Sequence, residues 1–84
     1  AQFWKARSLQ GLDRHDEAIA AFERFRAANS SHAKVPYSLH NQAISHARLG
    51  QNDRAMALFE QVIREYPMSP AADQAKTDLK KLKS

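Results

Sequence analysis

The segment Asp16-Glu17-Ala18-Ile19-Ala20-Ala21-Phe22-Glu23 returns 37 residues later as Asp53-Arg54-Ala55-Met56-Ala57-Leu58-Phe59-Glu60, keeping Asp, both alanines, Phe and Glu and placing Met opposite Ile. A repeat of this length belongs to stacked helix pairs, in which each unit hides an apolar face that it could not bury alone against the next unit. The repeat therefore selects an all-α architecture before any other feature is weighed.

Both copies have helical periodicity. Ala18, Ile19, Phe22 and Phe25 in the first, and Ala55, Met56, Leu58, Phe59, Val62 and Ile63 in the second, recur at three- and four-residue steps and form the expected core. Each follows a break and an acidic start, Gly11 to Asp16 and Gly50 to Asp53, where capping and the helix dipole favour carboxylates. Upstream of these turns the pattern predicts partner helices over Gln2 to Gln10 and Pro36 to Leu49, and Pro36 suits a first turn. A fifth helix runs from Pro70 to Lys83, with Ala72, Ala75, Leu79 and Leu82 as its apolar stripe and Asp73, Lys76, Asp78, Lys80 and Lys81 on its outer face. The expected organisation is one domain, 1–84: repeat one over 1–32, repeat two over 33–69, and a capping helix over 70–84. Stacked arrays generally need about three units, so the chain is expected to be a fragment of a longer protein.

Composition narrows the function. No apolar run approaches the roughly 18 residues of a membrane span, and no signal-type leader is present. The absence of cysteine excludes disulfides and thiolate metal sites. The net charge of +4 is mild, and its one cluster, Lys76, Lys80, Lys81 and Lys83, complements the negative end of a helix.

These residues resemble the tetratricopeptide repeat, whose second helix carries Ala and Phe four apart followed by Pro: here Ala18 and Phe22, then Ala55, Phe59 and Pro67. Ala6 and Ala43 stand where that family packs helices closely, while Ser30 replaces the first terminal proline and Trp4 lies off the family's usual Trp position. The resemblance implies a short superhelix of antiparallel helix pairs, two repeats plus a C-terminal cap. The turn Tyr66-Pro67-Met68-Ser69-Pro70-Ala71-Ala72 is similar to the inter-repeat turn of bacterial envelope proteins. It resembles the C-terminal domain of the Tol-Pal cell-division coordinator family (YbgF or CpoB) and lipoproteins of the BamD type. The first family implies a periplasmic adaptor whose partners are TolA and a bifunctional penicillin-binding protein; its trimerising coiled coil has no counterpart in this chain.

In such a stack the first helix of each pair lines the concave face. The candidate partner contacts are Phe3, Arg7 and Gln10 from the first helix, Tyr37, His40, Ile44 and Arg48 from the third, and Gln74, Thr77 and Lys81 from the fifth. Aromatic and arginine side chains over an apolar floor are the types that dominate binding energy, and an extended or helical segment with acidic side chains would complement them. A terminal-carboxylate clamp is not expected: Asn41 could correspond to one of its residues, but Phe3, Gln74 and Asp78 fill its other positions. Of Phe3 and Trp4, one ring is expected inside and one partly outside, leaving an N-terminal repeat face open to self-association.

His15, His32, His40 and His46 lack the i, i+4 pairing of helical metal ligands and are expected on the surface or in turns. No phosphate loop or nucleophile context occurs, so no catalytic residue, cofactor, metal or small-molecule substrate is expected. A cytosolic scaffold or co-chaperone is the second function class. A basic nucleic-acid- or lipid-binding helix is the third, weakened by the lack of aromatics among the C-terminal lysines.

Overall fold

A computed structural model describes residues 2–84, which form five α-helices: α1 (Gln2–Gly11), α2 (His15–Ala28), α3 (Val35–Arg48), α4 (Asn52–Glu65) and α5 (Pro70–Lys83). The architecture is the expected all-α stack of antiparallel pairs, with boundaries of α1 and α3 moved by one residue.

The two turns within pairs are built alike. Arg14 N–H donates to the Leu9 carbonyl and Asp13 N–H to Gln10; 37 residues on, Gln51 N–H donates to His46 and Gly50 N–H to Ala47. This paired pattern satisfies carbonyls left open at the end of a helix and requires a left-handed residue just past it. Asp13, at φ 61°, and Gly50, at φ 77°, supply that residue. The N-caps of α2 and α4 are Arg14 and Gln51, neither of which caps with its side chain. Asp16, Glu17 and Asp53 thus sit in the first helical turns, where they favour the dipole, and the capping role expected of the acidic starts is not theirs.

The turn into α5 is closed differently. Ser69 Oγ accepts from Ala71 N–H at 3.1 Å, Ser69 N–H donates to the Tyr66 carbonyl, and Pro70 opens the helix where its missing N–H is harmless. Tyr66 packs back onto the core while Met68 stays in solvent.

Helices α1, α3 and α5 are neighbours in one layer; α2 and α4 pack between them from the other side without touching each other. Phe22 and Phe59, equivalent in the two repeats, are fully buried, each contributing about 1.5–3 kcal/mol of apolar burial. Ala6 and Ala43 are also inaccessible, and their small side chains let α1 and α3 approach their neighbours. Ile19, Met56, Leu58 and Ile63, expected in the core, are only half-buried at its margin.

Helix α3 is touched by all four other helices. It consequently buries Ser38, His40, Asn41, Gln42, Ser45 and His46 alongside Leu39 and Ala43. These polar side chains are bonded across the stack or along α3, with Gln42 Oε1 alone among the described buried side-chain N and O atoms left without a partner. Gln42 Nε2 donates to Glu23 Oε2 and to His46 Nε2, whose Nδ1–H in turn donates to Gln51 Oε1 at 2.7 Å. Arg26 donates to Ser38 Oγ at 3.3 Å. Burial lowers the Arg26 guanidinium from its ordinary value, and the opposite charge of Glu23, then Tyr66, acts against that shift.

Candidate functional site: a groove across α1, α3 and α5

Two adjoining recesses mark the face made by the first helices of each pair. One of about 340 Å³ lies between α1, the turn after it and α3, walled by Arg7, Gln10, Asp13, His15 and Asn41. The other, about 300 Å³, lies between α3 and α5 and is walled by Ala47, Phe59, Asp78, Lys81 and Leu82. Ile44 and Arg48 border both, so the recesses form one groove with an aliphatic ridge at its centre. Arg7, Arg48 and Lys81 are exposed cations along it, so the groove offers charge at its rim and apolar surface at its floor.

Of the residues expected on this face, Arg7, Gln10, Ile44, Arg48 and Lys81 come together. Gln10 also ties α1 to α3, donating to the Asn41 carbonyl at 2.7 Å and to Ser45 Oγ at 2.9 Å.

Phe3 is not a groove residue. It is 2% exposed and packs against Phe22 and Phe25, with ring centroids 6.0 and 5.6 Å away. Trp4 takes the outer position at 58% exposure, the division of the two rings that the sequence implies.

His40 is also unavailable to a partner. It is 6% exposed, its Nε2–H donates to Asp78 Oδ2 at 2.8 Å, and its ring lies 5.7 Å from that of Phe59. The same bond corrects the place of Asp78, which faces α3 and is not on the outer face of α5. Tyr37 is half-buried beside the Lys34 ammonium, 5.4 Å from its ring centre, and lies outside both recesses. Gln74 and Thr77 are exposed on α5 but line neither recess; the Thr77 hydroxyl donates to the Asp73 carbonyl.

The histidines depart from the surface placement expected of them. His15, His40 and His46 are buried, and only His32 is exposed, stacked edge-on against Phe25. Among the described residues no three His, Cys, Asp or Glu side chains gather as metal ligands, and no helix is long and apolar enough to cross a membrane.

Sequence reasoning missed Asp13, His15, Ala47 and Leu82 as groove-lining residues, and weighed Asn41 there only as a clamp position. Asp13 carried a usable signal: it falls where the second repeat has Gly50, the mark of a turn that reverses onto the concave face.

Stacked helix pairs with a groove across their first helices define a helical-repeat scaffold, a class that presents such faces to other proteins. The tetratricopeptide repeat family matches residues 1–31 and 37–69, most of the chain, and the chain belongs to that family. No curated protein gives a significant match.

Proposed function

We propose that this protein is an adaptor that holds a partner protein in the groove between α1, α3 and α5, within a Gram-negative cell envelope, in the manner of the Tol-Pal cell-division coordinators. The observation that carries the binding face is the arrangement of Arg7, Arg48 and Lys81 around the Ile44 ridge. Arginine is among the residue types most often responsible for binding energy, and Arg48 stands beside both the polar recess and the apolar one. The envelope setting is supported by the turn Tyr66-Pro67-x-Ser69-x-x-Ala72, and with it the periplasm as compartment and TolA or a bifunctional penicillin-binding protein as partner.

Purified TolA and a bifunctional penicillin-binding protein, each titrated against wild type and an Arg7→Ala/Arg48→Ala variant, test both parts. Binding by wild type that is lost in a variant of unchanged helicity supports adaptor and groove together. Equal binding by both moves the contact to another face, and binding of neither protein by wild type removes the envelope assignment.

A further inference from the structure

The recess beside α1 is lined by a polar network that includes His15. His15 opens α2 and is 8% exposed, yet its imidazole lines the recess. The Gln10 amide can only donate to Ser45 Oγ, at 2.9 Å, and Ser45 Oγ lies 3.1 Å from His15 Nδ1. Ser45 Oγ keeps a second lone pair and its own proton, so it can donate to Nδ1 or accept from it, and in both cases the ring turns Nε2 toward the recess. Nε2 lies 3.6 Å from Asp13 Oδ1, beyond hydrogen-bond distance. A nearly buried imidazole nitrogen thus faces a recess that Arg7 and Arg48 also line.

We infer that this recess binds the side-chain carboxylate of an acidic residue in the partner segment, using Arg7, Arg48 and His15, whose Nε2-protonated tautomer the carboxylate selects, with the neighbouring aliphatic side chain of that segment entering the recess between α3 and α5. The inference rests on the groove reading above and names the chemistry of its ligand. Two cations and one resident carboxylate leave the first recess one negative charge short. Asp13 already projects its side-chain carboxylate toward His15 Nε2, so the cavity meets a carboxylate carried on a side chain. Asp13 holds that place at a left-handed φ, where Gly50 serves in the equivalent turn, and it competes with the incoming acid. The site differs from a terminal-carboxylate clamp, whose positions are filled here by Phe3, Gln74 and Asp78.

The probe is an acetylated and amidated peptide of three Gly-Glu-Leu-Ser units, with a twin in which Gln replaces Glu, titrated by NMR. The Glu peptide is expected to shift the His15 imidazole and the Arg7 and Arg48 side-chain signals, and to bind about tenfold more tightly than the Gln twin, as charge-assisted hydrogen bonds require. Asp13→Asn should strengthen binding of the Glu peptide about threefold, the scale of one exposed charge pair, and leave the Gln peptide unchanged. Arg7→Gln with Arg48→Gln should abolish the difference between the peptides while thermal unfolding stays the same. Equal binding of the two peptides, or shifts confined to Ile44, Ala47 and Leu82, would overturn the carboxylate site and leave the groove standing. Absence of shifts at both recesses would remove the groove as well. A Gln peptide with a free C-terminus that shifts His15 as strongly as the amidated Glu peptide would show that the recess takes chain ends, against the inference.

Discussion

Asp13 and Gly50 occupy one position in two copies of the same turn, with φ of 61° and 77° and the same pair of backbone hydrogen bonds around them. Only glycine adopts this conformation without a Cβ penalty, so the first repeat holds strain that the second avoids. Asp13→Gly should therefore stabilise the domain by about 0.5–1 kcal/mol, read as a higher urea midpoint at constant slope. Gly50→Ala should destabilise it by about 1 kcal/mol through the backbone alone, because no atom lies within 4 Å of the added Cβ. A neutral result at both positions would contradict the strain.

The bond from His40 to Asp78 joins α3 to α5 across 38 residues of sequence. His40→Ala or Asp78→Ala should each cost about 1–3 kcal/mol, since either leaves a polar group without its partner in a mostly buried site. Amide hydrogen exchange in α5 should accelerate in both variants. Unchanged exchange in α5 would mean that its apolar stripe alone holds it.

Phe3 and Trp4 are adjacent in sequence and opposite in consequence. Phe3→Ala should destabilise by about 3–5 kcal/mol, the cost of emptying an aromatic site in the core. Trp4→Ala should cost less than about 1 kcal/mol, since its ring is largely solvated and its contact with the Lys34 ammonium, 5.3 Å from the ring, is weak at an exposed site. Thermal unfolding of the two variants decides the matter, and similar losses would contradict this division.

Arg26 is held partly buried between Glu23, Ser38 and Tyr66, with its charged form disfavoured by burial. A base whose folded value is lowered is destabilising wherever it remains protonated, which for arginine covers every pH below the strongly alkaline range. Arg26→Met should thus fall within about 1 kcal/mol of neutral. The difference between variant and wild type should be constant from pH 6 to pH 9 in urea titrations. A difference that changes with pH across this range would show that another group titrates with Arg26.

Much of the groove was legible from residue spacing because the first helix of each pair repeats a fixed orientation. Arg7, Ile44, Arg48 and Lys81 follow from that rule alone. The rule fails at Phe3 and His40 for a common reason: each meets a partner that no local window contains. Phe3 is claimed by Phe22 and Phe25 of α2, and His40 by Asp78 of α5 and Phe59 of α4.

The sequence by itself determined the five helices, their pairing and the family, because amphipathic periodicity, the repeated Ala and Phe positions and the turn residues act within a few residues of one another. Tertiary structure alone decided which polar side chains go inside. Helix α3 has neighbours on every side, so several of its buried polar side chains meet partners on other helices, as Ser45 meets His15 of α2, Gln42 meets Glu23 of α2 and His40 meets Asp78 of α5. Desolvation of a polar group is tolerated only when such a partner arrives, and its arrival is fixed by the stacking of the whole chain.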